Sequence, residues 1–447
     1  MAKREKWSSE FGFLMAAAGS AVGLGNLWKF PYLAGSCGGA VFIIMYFILM
    51  AVLGIPLLIT EMSIGRFTKS NSIDACRKIH SRWGFAGAFG VLGAFLILSY
   101  YMTIGGWVLK YTFGYIKSGI DNPNQYFNEF TQSYQPVFWL IIFALICAVI
   151  VKMGIAGGIE RISKIFLPLL FIFIIITAVK SLTLDGAYKG VKFFLVPDFS
   201  EINSVSDWVN IFVNAMGQVF FSLSLGMGTL ITYGSYLDKS ANLIKNSVYI
   251  VLFDSIIAVT AGFAVLPAVF AYDIPPEAGA GLIFQALPNV FGEISNGRIF
   301  AVIFFLLVFF AAVTSAISLF EVMTAYLCES KKLNRTTAIF IIFAGICITN
   351  ILSSLSFGSL KDFKISGMTF FELFSNISDK ILMPMGGIFI CILAGYIWDY
   401  DEMKSEVSAG SKSGSAIFPF LRFAIRYIAP VMIGIILLAS WFMDLSD

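Results

Sequence analysis

Charge is what this sequence has least of. Asp, Glu, Lys and Arg make up only 13% of its 447 residues, against 58% hydrophobic, where an average soluble protein carries about 25% charged residues. So little charge on so long a chain cannot clothe a water-facing surface, which rules out an ordinary soluble enzyme or a disordered chain. His80 is the single histidine, so a histidine-rich metal centre is excluded. The six cysteines (Cys37, Cys76, Cys147, Cys328, Cys347 and Cys391) lie far apart and form no CxxC pair, which fits neither a disulfide framework nor a thiolate metal site. A formal net charge of +3 is too small to point to nucleic acid. Gly23-x-Gly25 follows no strand and lacks a third glycine, so it is no dinucleotide fingerprint. Neither enzymatic activity nor an organic cofactor is expected.

Apolar runs fill the sequence instead. A helix that crosses a bilayer takes about 20 mainly apolar residues. Such runs fall near 11–36, 40–66, 87–114, 137–152, 158–180, 209–236, 242–271, 298–328, 337–356, 371–398 and 418–443. They predict an all-α polytopic membrane protein with eleven spans, numbered here in chain order. Met1 to Lys6 is basic like the start of a signal peptide, but the following run is broken by glycine and ends in no clear cleavage site; it reads as a retained first helix. Lys3, Arg4 and Lys6 precede span 1, and Lys69, Arg77, Lys78 and Arg82 follow span 2. Lys152, Arg161 and Lys164 lie around the end of span 4, and Lys331, Lys332 and Arg335 follow span 8. Alternate connections are acidic, with Asp121, Glu129, Asp198, Glu201, Asp207, Asp273, Glu277 and Glu293. By the positive-inside rule the N-terminus is cytoplasmic. After an odd number of spans the C-terminus, with Asp444 and Asp447, lies outside. The stretch 399–415 reads as a solvated cytoplasmic loop and 273–297 as a folded external one.

Two spans break helical rules in the same way. Span 1 contains Gly19-Ser-Ala-Val-Gly-Leu-Gly-Asn26, followed by Lys29 and Pro31, and span 6 contains Ser222-Leu-Ser-Leu-Gly-Met-Gly228. Glycine costs about 1 kcal/mol in a helix interior, and lipid cannot satisfy the backbone groups that unwinding frees. Unwound chain at membrane depth must therefore face protein or a filled cavity. Interrupted helices five spans apart point to an inverted-repeat transporter with its site near the bilayer midplane. The plainer alternative is that the glycines only let helices pack closely.

Lys3-Arg-Glu-Lys-Trp7 followed by Gly19-Ser-Ala-Val-Gly-Leu-Gly-Asn-Leu-Trp-Lys-Phe-Pro31 resembles the signature of the neurotransmitter:sodium symporter family. So do Gly54-Ile-Pro-Leu-Leu-Ile-Thr-Glu-Met-Ser-Ile-Gly-Arg66, Gly217-Gln-Val-Phe-Phe-Ser-Leu-Ser-Leu-Gly-Met-Gly228 and Phe309-Phe-Ala-Ala-Val-Thr-Ser315. The motifs keep the family's order and cover the chain from residue 3 to about 430. The resemblance is nearest to the bacterial eleven-span carriers of hydrophobic and aromatic amino acids. It implies the fold of the bacterial leucine transporter, as a single transporter domain over 1–447. Spans 1–5 (11–180) and 6–10 (209–398) would be inverted repeats around a central site, with span 11 (418–443) outside them. The implied function is sodium-coupled import of hydrophobic or aromatic L-amino acids across a bacterial inner membrane, by alternating access. A sodium-gated channel or an amino-acid sensor on the same fold is the competing reading.

Residue by residue, the resemblance places a first sodium ion among Ala21, Asn26, Ser222 and Asp254 and a second among Gly19, Val22, Ala311, Thr314 and Ser315. Unwound carbonyls joined by hydroxyl and amide side chains supply the hard oxygens that sodium wants. On its own, a Thr-Ser pair in a membrane helix usually just bonds its preceding carbonyls. The substrate carboxylate is expected beyond Val22, where Gly23 and Gly25 leave amides free at a half-helix start, with Tyr101 adding its hydroxyl. By pattern alone Tyr100 and Tyr101 are equally packing aromatics. The amine would meet carbonyls around Phe221 and Ser224. Phe221, Ser224, Met227, Ser318 and Leu319 would select the side chain, with Phe221 as lid and with Ala21 and Ser222 bordering the same site. Met227 and the small Ser318 are expected to leave room for a bulky group.

The remaining candidates support or gate that site. Glu61, a charge inside a span, matches a family glutamate that hydrogen-bonds the unwound backbone of span 6, which implies structural support for the site. Arg4 and Glu329, with Trp7 and Tyr236 nearby, match a cytoplasmic gate. Lys29 stands where the family usually has arginine in its outer gate. Judged by its spacing to Pro384, Ser375 replaces the usual aspartate, leaving Asp379 and Glu372 as alternative partners. Gly158 and Pro168 resemble a motif that lets the cytoplasmic half of span 5 unwind during release. Asp254 takes a position that is usually asparagine in chloride-dependent animal members. With Tyr46, Gln218 and Ser222 around it, its charge implies transport without chloride.

Overall fold

A computed structural model describes residues 5–200, 202–272, 282–411 and 414–443. Among them nine helices are long and apolar enough to cross a bilayer: Ala40–Thr68 (span 2), Ser81–Lys117 (span 3), Gln135–Lys152 (span 4), Ile155–Leu182 (span 5), Leu243–Ala271 (span 7), Gly297–Glu329 (span 8), Arg335–Leu355 (span 9), Phe370–Ile397 (span 10) and Gly414–Ala439 (span 11). Span 1 is a bent pair, Glu10–Ala21 and Gly25–Ser36, meeting at 49°. The remaining apolar run, span 6, folds as Val205–Ser222 and Thr229–Gly234 on either side of a turn at 223–228. Both interruptions fall where the glycines stand.

Proline sets where several other spans change pitch. Pro31, Pro56, Pro384 and Pro430 each begin an α-helical segment that follows a wider, π-type turn: Gly25–Lys29, Met50–Gly54, Ile377–Leu382 and Ala424–Ile428. Proline offers no N–H to the carbonyl one turn back. Widening the turn lets the hydrogen-bond ladder skip that missing donor.

The connections are more helical than their composition indicates. Ser72–Ile79, Pro123–Gln132, Ala187–Leu195 and Leu287–Glu293 are short helices. The 399–415 stretch, expected as a solvated loop, is helical from Tyr400 to Ser408. A cap explains it: the Asp399 carboxylate accepts from the amides of Asp401 and Glu402, donors that a helix start otherwise leaves free. Of the expected external loop, 282–293 is helical, while 273–281 lies outside the described residues. Lys3, Arg4, Glu201, Asp273, Glu277, Asp444 and Asp447 also lie outside them.

Spans 3 and 8 pack along each other, and the Glu10–Ala21 half of span 1 lies against spans 5, 7 and 8. Its run of small buried residues, Ala16 to Gly19, allows that approach. Ile44, Phe47, Ile48, Leu145, Val149 and Ile172 face outward, where hydrocarbon takes the place of water. Inside, the two broken spans meet, with Ser20 Oγ 3.4 Å from Ser224 Oγ.

Candidate functional site between the two broken spans

Span 1 leaves the helix at Val22 (φ −78°, ψ 91°). The Leu24 amide then donates to the Tyr101 hydroxyl of span 3 at 3.4 Å, and the Gly23 amide to Asn26 Oδ1 at 3.3 Å. A Cβ on Gly23 would lie 2.4 Å from Ser315 Oγ, so only glycine lets span 8 come this close. Span 6 opens after Ser222. Ser224, Gly226 and Gly228 take left-handed φ values of 53°, 73° and 72°, a conformation that costs a serine about 1–3 kcal/mol. Glu61 fixes the turn, accepting from the Gly226 amide at 2.8 Å.

At the first expected sodium position the side chains converge on Asp254, which is wholly buried. Ser222 Oγ and Asn26 Nδ2 each donate to its Oδ1 at 2.7 Å, and the Tyr46 hydroxyl donates to Oδ2 at 2.7 Å. Gln218 donates to the Gly25 carbonyl at 3.0 Å, while its own Oε1 is buried without a partner. One carboxylate among hydroxyl, amide and carbonyl oxygens is donor chemistry for a hard cation. Ala21 lines the adjoining cavity.

At the second position Gly19 passes Thr314 so closely that a Cβ would stand 3.3 Å from Thr314 Cβ. Val22 and Ala311 are buried nearby in the same two spans. Thr314 donates back to the Phe310 and Ala311 carbonyls at 3.0 and 3.1 Å, the ordinary behaviour of a hydroxyl in a membrane helix. Ser315 instead crosses to the Ser20 carbonyl at 3.1 Å. One member of the pair serves its own helix; the other ties two spans together.

Tyr101, Phe221, Ser224, Met227 and Leu319, with Ala21, Gly23 and Gly25 of the break, line a central cavity of about 20 Å³. Ser318 stands behind that wall, accepting from Ser20 Oγ at 2.6 Å and donating to the Ser315 carbonyl at 2.7 Å. Ser20 and Ile97 also line the cavity and were missed from sequence. Ser20 was readable inside the glycine motif, whereas nothing marks Ile97 among its apolar neighbours. Gly25, Tyr101 and Phe221 also border an outer vestibule of about 260 Å³, so these three residues form the partition. Lys29 Nζ sits 4.6 Å from the Phe221 ring centroid and 3.4 Å from Asp379 Oδ2, and Tyr100 donates to Asp379 Oδ1 at 3.2 Å. Asp379 is therefore the lysine's partner. Ser375 only lines the vestibule, and Glu372 caps its own helix through Thr369.

Span 9 braces the tyrosine-bearing turn of span 3. Asn350 Oδ1 accepts from the Thr103 amide at 3.1 Å, its Nδ2 donates to the Leu98 carbonyl at 2.7 Å, and Ser353 donates to the Ser99 carbonyl at 2.7 Å. A lone asparagine in an apolar run was the signal that marks such a brace.

On the opposite side, Trp7 donates to the Tyr233 carbonyl at 3.0 Å and packs edge-on against Phe13, Tyr233 and Tyr236. Tyr236 donates to the buried Glu321 at 2.9 Å, and Arg335 holds Glu321 at 2.5 Å and Glu5 at 3.5 Å. Glu5 also accepts from the Ile155 amide at the start of span 5. Glu329 accepts from the Asn71 amide at 2.7 Å; Arg4, its expected partner, lies outside the described residues. Glu5, Glu321 and Arg335 were missed, although a carboxylate at 321 inside an apolar run was legible. Gly158 lies in the wide turn Ile155–Glu160 and Pro168 inside Arg161–Leu182. A Cβ on Gly158 would stand 2.1 Å from the Ile150 carbonyl oxygen, so that glycine also serves the close approach of span 4.

A family model described as the Sodium:neurotransmitter symporter family matches residues 4–129 and 125–445. The chain belongs to that family. This symporter is 37% identical to an uncharacterized sodium-dependent transporter of Haemophilus influenzae, over 98% of this chain and 99% of the relative. It is 38% identical to the uncharacterized sodium-dependent transporter YhdH of Bacillus subtilis, over 98% of this chain and 97% of that one. Its fold is similar to that of MhsT in a crystal structure with L-phenylalanine: the TM-score is 0.90 at 38% identity, covering 98% of this chain and 100% of that one. The symporter's twice-broken helical bundle is thus the fold its sequence motifs imply.

Proposed function

We propose that the symporter carries hydrophobic or aromatic L-amino acids inward together with sodium, by alternating access and without chloride. The observation that carries this reading is the meeting of two unwound segments around one cavity: Gly25 and Phe221 of its wall adjoin in sequence Asn26 and Ser222 of the Asp254 cluster, and Tyr101 of its wall meets the Leu24 amide. The Gly23 and Leu24 amides, held by Asn26 and the Tyr101 hydroxyl, would turn to a substrate carboxylate at this half-helix start, and the carbonyls around 221–224 suit its amine. Phe221, Met227 and Leu319 give the wall an apolar face. A cavity of about 20 Å³ has to widen for a large side chain, and unbranched Met227 and the Phe221 ring are the wall members most able to turn. Sodium travels as co-substrate, one ion with Ala21, Asn26, Ser222 and Asp254, the other with Gly19, Val22, Ala311, Thr314 and Ser315. For the second ion Thr314 would exchange its bonds to its own helix for the cation. Repeats over 11–180 and 209–398, and a plasma membrane with the N-terminus inside, complete the reading.

Labelled phenylalanine and purified protein in liposomes test it. Uptake above the equilibrium level under an imposed sodium gradient distinguishes a carrier from a sodium-gated channel or a sensor. Sodium must also tighten amino-acid binding, because coupling between the two ligands is reciprocal. Equal phenylalanine affinity in sodium and in potassium sinks the proposal.

A further inference from the structure

Away from the central cavity, the seam between the end of span 10 and the start of span 11 gathers cations that, among the described residues, form no ion pair with a protein acid. Arg422 and Arg426 stand one turn apart on span 11, on one face of the helix. The Arg426 guanidinium lies 4.6 Å from the Tyr396 ring centroid and 5.6 Å from that of Tyr427. The Tyr396 hydroxyl donates to the Arg426 carbonyl at 2.7 Å, which locks the two spans in register. Arg422 lies 5.6 Å from the Tyr400 ring centroid, and Lys404 approaches the same ring at 6.0 Å. Both Nη atoms of Arg422 lie a long 3.5 Å from the Trp398 carbonyl, and its other acceptor is the weak Sδ of Met403 at 3.4 Å.

The donors here are under-used. Nε of Arg422, Nε of Arg426 and the Trp398 indole N–H are buried with no hydrogen-bond partner among the described residues. Among the described residues no carboxylate lies within ion-pair distance of either arginine. By contrast Arg66 has Glu406 and Arg335 has Glu321. The nearby Asp399 carboxylate is occupied by the amides of Asp401 and Glu402 at the start of helix Tyr400–Ser408; Asp401 and Glu402 themselves are exposed. A guanidinium within a membrane span without a counter-charge is expensive unless something anionic meets it.

We propose that this seam holds the phosphate of an anionic phospholipid between Arg422 and Arg426, with Lys404 at its rim. The guanidinium fork matches a phosphodiester through paired hydrogen bonds. Tyr396, Tyr400 and Tyr427 are each about half exposed, as rings are where headgroups meet hydrocarbon. Phe420 and Phe423 are likewise exposed on the same span and offer apolar surface to acyl chains, which a free phosphate would not use. Glu406 on the adjoining helix pairs with Arg66 at the end of span 2, so the seam belongs to the end of the bundle where the basic connections cluster. Basic pockets between spans at that face are where anionic headgroups bind.

Native mass spectrometry of the full chain, equilibrated with equal amounts of phosphatidylglycerol and phosphatidylethanolamine, tests the site without depending on transport. The wild type should retain one phosphatidylglycerol in preference, and R422Q and R426Q should each lower that preference about fivefold, the attraction one basic residue supplies near an anionic surface. The double variant should bind both lipids equally. Y396L keeps both charges but removes a ring platform, and should weaken retention less than either arginine change. No preference in the wild type, or an undiminished one in a folded double variant, overturns the proposal. Displacement of the lipid by excess glycerol phosphate overturns it as well, since the site would then be one for soluble anions. Should the arginine variants not fold, loss of the wild-type preference in high salt decides in their place: a preference that salt leaves untouched is not made by these charges.

Discussion

The central site is closed in two different ways. On the vestibule side the partition is Gly25, Tyr101 and the Phe221 ring, with Phe221 steadied by Lys29 and Asp379, whose side chains remain 33% and 25% exposed. On the opposite side Glu321 is fully buried and gripped by Arg335 and Tyr236, while Glu5 and Trp7 tie the N-terminal segment to spans 5 and 6. Ion pairs in contact with water contribute about 0–1 kcal/mol. Removing one partner of a buried pair costs about 3–5 kcal/mol, because the other charge is stranded. The Glu321 side is a latch and the vestibule side a lid.

The largest effect should follow from breaking the latch. Arg335→Gln leaves Glu321 buried without its counter-charge in the closed arrangement only, so the population should move toward opening on that side. A cysteine placed at the buried Ser163 reports that opening through its alkylation rate, which should rise about a hundredfold, the factor that corresponds to the lower end of the buried-pair range. An unchanged rate would mean that the Glu5–Arg335–Glu321 bridge does not hold the closure. Pro168→Ala works from the other direction, restoring a backbone donor within span 5. If unwinding of that span accompanies release, turnover should fall several-fold while phenylalanine affinity in sodium stays the same. Gly158→Ala is a poor probe of the same step, because its methyl group would collide with the Ile150 carbonyl.

The next effect should come from the cavity between the closures. Met227→Phe adds a rigid ring to a wall that already contains Phe221. Competition assays should shift preference from phenylalanine toward smaller amino acids by about tenfold, since fitting one methylene more or less is worth about 1–3 kcal/mol. An unchanged order places the selective pocket elsewhere. Lys29→Met should do less. Loss of a partly exposed pair should speed phenylalanine dissociation by no more than about fivefold. An effect as large as that of Arg335→Gln would reverse the comparison between latch and lid.

The spans and their two breaks were legible because lipid makes the problem one-dimensional: apolar length and glycine position decide it. Glu61 and the glycine turn were each legible, as a charge and a break in membrane spans, and the family resemblance paired them as the Gly226 amide does. The pairings across the bundle were not. Counting back from Pro384 treats span 10 as a regular helix, but the wide turn Ile377–Leu382 changes which side chain faces span 1, and Asp379 rather than Glu372 meets Lys29. Ser318 was expected in the pocket wall and stands behind it, because its hydroxyl is committed to Ser20 and Ser315. The latch joins residues 5, 321 and 335, and no local pattern links positions so far apart in the chain.

The smallest effect is expected at the centre that latch and lid share. The Asp254 carboxylate is fixed by three donors, from Ser222, Asn26 and Tyr46. A second anion about 4 Å away, at an effective dielectric of about 20, would be repelled by about 4 kcal/mol, near a thousandfold in affinity. Replacing chloride by gluconate should therefore leave sodium-driven phenylalanine uptake by the wild type unchanged, and a collapse of uptake refutes the charge argument. Asp254→Asn keeps the shape and removes the charge. With its amide oxygen in the Oδ1 position the variant still accepts from Ser222 and Asn26, but its nitrogen then faces Tyr46. The Tyr46 hydroxyl loses its acceptor and becomes free to donate to an anion, next to a Gln218 whose amide already points at the Gly25 carbonyl. Sodium coupling should weaken in this variant and recover in part as chloride is added. If coupling weakens and chloride restores nothing, the carboxylate serves sodium through geometry as well as charge, and no free anion can take its place.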